Sequence, residues 1–334
     1  MTKNCALGNS EGFYNAMPRK FSGAIVRAAL GVALAYGALP TCPFAVIGQE
    51  EDEQSYYKHA YSIVDLPLPE IMSALPELQG LQPGTNQQQL PDILTKAGEA
   101  VVQAYEDLRN VAADEEITEQ QYGYNGRLLD TSRHHFGYLI TVDKAPGEEV
   151  LHEYRTNARL KPVEPESAPQ GFPFTTNSAS MWVLFHPQNR YQTNFRYLGK
   201  QSVEGQDLYV IAFAEVPGKA AVTGRINLQG RSALLLYQGV AWIHSKSFRI
   251  VKMRLDLLEP QLDVALEQLT TEIQFGEVRI PQATAALWLP QAVTVTTVNG
   301  GQLFRNRHAY SNFRLFTVKS ETKAAASEQA PPRR

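Results

Sequence analysis

The sequence predicts an α+β, β-rich fold: a curved, mostly antiparallel, half-barrel-like sheet with one long amphipathic helix packed on it. Three observations carry this. Beyond residue 116 apolar side chains recur with a period of two, the repeat of a half-buried strand. Residues 90–111 hold the one strong helical stripe. Short turn signals join successive strands, which favours antiparallel neighbours. Fifteen Tyr and 14 Phe against three Trp suit the same architecture.

Residues 1–45 read as an over-extended N-terminus followed by a signal peptide. Met17 is the expected start. Arg19, Lys20 and Arg27 form a basic flank, and residues 28–39, AALGVALAYGAL, form an apolar stretch of signal length. Cleavage is expected after Ala35, Ala38 or Ala45, which places the mature chain in the periplasm or outside the cell. Leu39-Pro40-Thr41-Cys42 sets Thr and Pro where a lipoprotein signal needs small residues, arguing against a lipid anchor at Cys42. No transmembrane span is expected in the mature chain. The only other cysteine is Cys5, so that chain carries neither disulfide nor thiolate site.

Residues 46–89 form a proline- and glutamine-rich leader, loosely structured, with a short helix near 69–75; Pro67, Pro69, Pro76 and Pro83 forbid a long one. A single β-rich domain spans 90–318. In its helix, Leu94, Ala97, Val101, Ala104, Tyr105 and Leu108 make one stripe, and Asp92 is a candidate cap. Strands are predicted at 117–124, 135–143, 149–156, 181–186, 192–199, 206–214, 231–243, 248–257, 268–280, 288–298 and 303–317. Asn125-Gly126, Asn299-Gly300 and His244–Ser247 mark turns. Residues 157–180 read as a long proline-rich insertion, and 319–334 as a disordered tail.

A net charge of -3 with a pI near 6.2 excludes a general basic field for nucleic acid. No G-x-S-x-G, Walker loop, G-x-G-x-x-G, C-x-x-C or H-E-x-x-H occurs, so no cofactor, metal or catalytic group is expected. His134 and His135 would point to opposite faces of a strand. Glu153-Tyr154-Arg155 reads as an exposed strand edge, with a buried ion pair as the other option. Residues 304–316 hold the densest polar-aromatic cluster. Arg305, Arg307, Tyr310 and Phe313 are candidate ligand-binding residues there, suited to an anion or lipid headgroup. The same pattern also describes an ordinary strand with aromatics inward and arginines outward. Trp182 and Trp242 are candidate pocket-lining or core residues.

Several stretches resemble a family of uncharacterised exported bacterial proteins: PELQGLQP at 76–83, HEYRTNA at 152–158, FHP at 185–187, FRYLGKQ at 195–201, QGVAWIHSKSFRIVKMRLDLLEP at 238–260, TTEI and FGEV within 270–278, WLP at 288–290 and RNRHAYSNFRLF at 305–316. That resemblance implies export and no particular activity. The leading helix, the hairpins and the WIHSKSFRIVKM stretch distantly resemble the periplasmic lipoprotein-carrier half-barrel, whose curved sheet encloses an apolar cavity for acyl chains. The carrier's RPG strand motif is absent, and no binding residue transfers.

The expectation is therefore a non-enzymatic extracytoplasmic protein that binds an apolar ligand, such as a lipid or acyl chain, in a curved sheet. A long apolar sheet face with one helix to cover it motivates that reading. An envelope protein–protein interaction or structural module is the alternative, and an enzyme with a scattered site stands third.

Overall fold

The structure is a computed structural model describing residues 56–145, 148–163, 178–220, 224–228, 231–281 and 283–316. The expected signal peptide, the start of the leader, most of the proline-rich insertion and the tail lie outside the described residues.

Two helices, α1 (Leu68–Ala74) and α2 (Leu90–Asp107), flank the two-residue strand β1 (Gln82–Pro83). There follow β2 (Val111–Tyr122), β3 (Leu128–Ala145), β4 (Glu148–Thr156), β5 (Thr193–Val203) and β6 (Gln206–Glu215). The remaining strands are β7 (Gly224–Leu228), β8 (Arg231–Leu235), β9 (Tyr237–His244), β10 (Ile250–Leu257), β11 (Leu266–Val278), β12 (Leu287–Asn299) and β13 (Gln302–Leu315). Eleven strands form one antiparallel sheet in the order β1-β5-β6-β9-β10-β11-β12-β13-β2-β3-β4, while β7 and β8 form a separate hairpin. The sheet is open, with β1 and β4 at its edges. Among the described residues no helix is long and apolar enough to cross a membrane.

The centre of this sheet is buried on both faces. On β6, Val210, Ile211, Ala212 and Phe213 are each fully buried, as are Val240, Ala241 and Ile243 on β9. Successive strand residues point to opposite faces, so such a run demands a cover on each side. On the inner face α2 supplies Ile93, Ala97 and Val101, joined by Trp182 and Phe185, over Ile211, Phe213, Met253 and Ile273. Ile226, Ala233 and Leu235 of the β7–β8 hairpin complete that layer. On the outer face Ile71, Leu75, Leu78 and Leu81 cover Leu198, Leu208, Val210, Val240 and Trp242. Each large apolar side chain so buried contributes about 1.5–3 kcal/mol.

The outer layer corrects one expectation. The prolines do forbid a long helix, and α1 stands where the short one was predicted. Yet residues 63–81 are packed against the sheet rather than loose. Gln201 ties them down: its Nε2 donates to the Glu77 and Gln79 carbonyls at 2.8 Å each, and its Oε1 accepts from Trp242 Nε1 at 2.7 Å. Arg254 adds an ion pair to Glu77 at 2.5 Å.

Three further predictions give way. Residues 178–185 form a 3-10 helix rather than a strand. Ala179, Trp182, Val183, Leu184 and Phe185 are all buried, so the segment shows no polar face from which to read a period. The predicted strand 231–243 is two strands: the chain leaves the β7–β8 hairpin at Leu236 and joins the main sheet as β9. Asp92 does not cap α2; it lies in the first turn and pairs with Lys96 at 3.0 Å. Asn86 caps the preceding turn instead, its side chain accepting from Gln88 N.

Two glycines permit the closest packing. A Cβ on Gly98 would stand 3.2 Å from the Phe185 carbonyl, so a bare backbone there seats α2 on the 3-10 segment. At Gly239 a Cβ would meet the Arg254 carbonyl oxygen at 1.8 Å, inside the β9–β10 ladder. Gly239→Ala therefore has to push these central strands apart. We expect it to lower unfolding stability by at least ~2 kcal/mol, read from urea denaturation followed by Trp fluorescence. An unchanged midpoint would contradict this packing.

Candidate functional site

At the end of β6 the chain runs Ala214, Glu215, Val216, Pro217, Gly218. The β6–β9 ladder stops at Ala214 opposite Gln238. One residue further, the Glu215 carboxylate takes the place of a backbone acceptor: Oε2 accepts from Tyr237 N at 2.7 Å. The stretch from the 3-10 turn Tyr56–His59 to Asp65 borders this strand end and leaves a half-open cavity of about 560 Å³. Tyr57, Ala60, Ala214, Val216, Pro217 and Leu258 give it an apolar lining; Lys58, Ser62, Asp65, Asn194 and Glu215 supply polar groups.

Tyr57 fixes the cavity wall. Its hydroxyl donates to the Leu234 carbonyl at 2.6 Å and accepts from Leu236 N at 3.2 Å and Gln261 Nε2 at 2.9 Å. Glu215 is only 2% exposed. Burial pushes its carboxyl up to about 8, against the smaller opposing effect of the Tyr237 N–H, so the group is mostly uncharged at neutral pH. Because Oε2 is an acceptor, the proton sits on Oε1. That oxygen has no hydrogen-bond partner among the described residues, and neither has Oγ1 of Thr193, the cross-strand neighbour of Glu215. The site thus combines apolar walls with a buried hydroxyl that lacks an acceptor.

A second polar cluster lies on the inner face of β2, β4 and β13. Arg155 grips Glu115 with two bonds, Nε to Oε2 at 2.7 Å and Nη2 to Oε1 at 2.8 Å. His308 Nδ1 donates to Glu115 Oε1 at 2.8 Å. Burial would raise the Glu115 carboxyl, but the Arg155 charge and the His308 hydrogen bond outweigh it and hold the group at about 2. His308 is lowered by burial despite Glu115, so it is neutral at pH 7, with its Nδ1 proton toward the carboxylate. Beside them, Glu153 accepts from the Tyr138 hydroxyl at 2.5 Å and from Ala179 N at 2.9 Å, and burial pushes it up to about 7. Arg155 is thus buried and paired, which overturns the exposed reading of 153–155; Tyr154 between them is 38% exposed.

The six residues picked from the sequence do not converge. Trp182 lies on the inner face 6.3 Å from the Phe275 ring, whereas Trp242 lies on the outer face against residues 63–81. On β13 the alternation splits the cluster. Tyr310 points inward, 4.8 Å from the Tyr138 ring, and Phe313 packs beside it. Arg305 and Arg307 share the outer face, with Arg305 over the Tyr122 ring at 5.7 Å. Glu115 and Glu215 went unread, and His308 was read only as one member of the 304–316 cluster. A signal was present for Glu115: it falls in phase with Ala113 and Ile117, both fully buried, where a carboxylate needs a partner. Glu215 likewise ends the buried run of β6.

No family model matches the chain, and no curated protein matches it. Among solved structures it is similar to a DUF1329 family protein from Desulfovibrio piger, at 12% identity and TM-score 0.36, over 68% of this chain and 95% of that one. It is similar also to a domain put forward as an outer membrane lipoprotein-sorting protein, from Vibrio parahaemolyticus, at 11% identity and TM-score 0.36, with the same 68% and 95% covered. Likeness at this level decides nothing about function.

The two buried carboxylates predict opposite responses. Arg155→Ala leaves Glu115 buried without its counter-charge and should cost about 3–5 kcal/mol at neutral pH, measured by urea unfolding. Glu115 is depressed in the folded chain, so its contribution is present above the ordinary carboxyl value of 4.5 and is lost as pH falls toward about 2. Glu215 is raised instead, so the wild type loses stability as pH rises from 4.5 to about 8. Glu215→Gln should be free of that loss, and the gap in stability should widen by about 1.4 kcal/mol per pH unit within the window. Parallel pH profiles of wild type and variant would refute the assignment.

Proposed function

We propose that this protein is a non-enzymatic, extracytoplasmic binding protein for an apolar ligand bearing a hydrogen-bond acceptor, such as an acyl chain ending in an ester or a protonated carboxylic acid. The observation that supports it is the cavity at the end of β6, where a buried, uncharged Glu215 lacks an acceptor for its hydroxyl. A volume of about 560 Å³ falls within the roughly 300–1,000 Å³ of small-molecule sites. Apolar walls supply affinity in proportion to the area they cover. The carboxyl supplies selectivity when the ligand displaces the groups that cover Oε1, because a buried donor left unpaired costs about 1–3 kcal/mol and a ligand carbonyl removes that cost. Export follows from the basic flank and apolar segment at 19–39.

On the inner face α2, the 3-10 segment and the β7–β8 hairpin pack against the sheet. The ligand site belongs at a strand end, where the ladder stops at Ala214 and the Glu215 side chain replaces a backbone partner.

Native mass spectrometry with a long-chain fatty-acid methyl ester tests this. Wild type should take up one molecule. Val216→Trp, at a half-buried wall position, should abolish uptake while preserving the folded far-UV spectrum. Uptake by wild type should fall as pH rises through about 8, where the carboxyl loses its proton, and should stay level in Glu215→Gln, whose amide remains a donor. No uptake by wild type, or equal uptake by Val216→Trp, would sink the reading.

A further inference from the structure

We propose that the outer face of β13, β2 and β3, together with the tip of the β2–β3 hairpin, docks this protein on an anionic lipid surface. Strand register assembles the patch. Arg307 lies opposite Thr118, and Thr118 opposite Arg133, so two arginines share one row across three strands. Arg305 lies in the next row on the same face, opposite Gln120. Arg307 and Arg133 are exposed. Among the described residues none of these three arginines lies within ion-pair distance of a carboxylate. Of the acids of that face, Glu272 stands 3.6 Å from Lys252 and Asp114 3.1 Å from Arg314, while Glu116, 3.9 Å from the His135 ring, offsets one of the three arginines. The patch therefore keeps a positive excess on a chain of net charge -3.

Beside the arginines the hairpin tip exposes apolar side chains that the core does not use. Tyr124 is 87% exposed, Leu129 58% and Leu128 45%. Isolated exposed apolar residues are ordinary, but three within six positions of one turn form a cluster. Tyr124 also lies against the neighbouring β12–β13 turn, where a Cβ on Gly301 would meet its ring at 2.8 Å. Two hairpin tips thus make one end of the sheet.

A basic surface bordered by an exposed apolar and aromatic tip has the composition of a membrane interface. Arginines hold anionic headgroups while the tip enters the headgroup–acyl boundary. An acidic protein would match the arginines and leave the tip without a role. Nucleic acid would need a wider basic field than a pI near 6.2 provides. The inference does not rest on the cavity, which lies at the end of β6.

Co-sedimentation of the full chain with vesicles decides it, using phosphatidylcholine alone and phosphatidylcholine with about one-third phosphatidylglycerol. Wild type should partition onto the anionic vesicles, less so as salt rises. Arg305→Ser with Arg307→Ser should weaken this by roughly 25-fold, about fivefold per arginine. Tyr124→Ser with Leu129→Ser should weaken it by about tenfold or more, with little salt dependence. Every variant retains residues 28–39, so differences among them read the patch alone. Val216→Trp should sediment as wild type does, separating this result from the fate of the cavity. Equal partitioning of wild type and the double arginine variant would overturn the proposal. So would immobilised polyglutamate retaining wild type and the hairpin-tip variant alike, which would assign the patch to an acidic protein.

Discussion

Everything in this molecule is arranged around two strands that cannot face water. Strands β6 and β9 pair along Leu208–Ala214 and Gln238–His244 and are apolar on both faces. A sheet built on them must be the middle of three layers. The long helix and the 3-10 segment form one outer layer, and residues 63–81 form the other. Both covers come from chain outside the main strands, and both meet the same central rows. Away from this centre the demand relaxes. On β13, β2 and β3 the outer face turns to Thr, Arg and Gln.

Buried charge shows how little the residue type decides. Glu115 and Glu215 are both nearly inaccessible, at 1% and 2% exposure. Glu115 meets a guanidinium and an imidazole and stays ionised; Glu215 meets one backbone N–H and takes a proton. The first is a strut joining three strands. The second is an uncharged carboxyl that ends a buried strand. Desolvation is the same in kind for both, and the difference lies in whether an opposite charge is near enough to repay it.

Local signals were legible where the local chain sets the outcome. The stripe of α2 is such a case, as is the alternation Met253, Leu255, Leu257 on β10 with its partner run on β11; Val251, expected on the same face, is turned to the outer face by the bulge between Ile250 and Lys252. The turn at His244–Ser247 is another. Errors arose where a run of buried apolar residues hides any period. Residues 182–185 and 233–236 are buried throughout, so neither a period nor a break in the strand is legible there. Residues 63–81 misled in the opposite sense. Their prolines advertise irregular backbone, yet irregular backbone can still present Ile71, Leu75, Leu78 and Leu81 to a sheet.

The sequence by itself determined the class, the single long helix, most strands and the antiparallel order of neighbours, because these depend on spacing within about a dozen residues. It also held the charge pattern of residues 304–316, though not its meaning. Tertiary structure alone decided that alternation separates Arg305 and Arg307 from Tyr310, that Trp182 and Trp242 lie on opposite faces, and that Glu215 closes a cavity with Tyr57. The physical reason is distance along the chain. Glu115 and His308 are 193 residues apart, and Tyr57 and Leu236 are 179 apart. Contacts of that separation leave no periodic trace, and only the folded ladder brings them together.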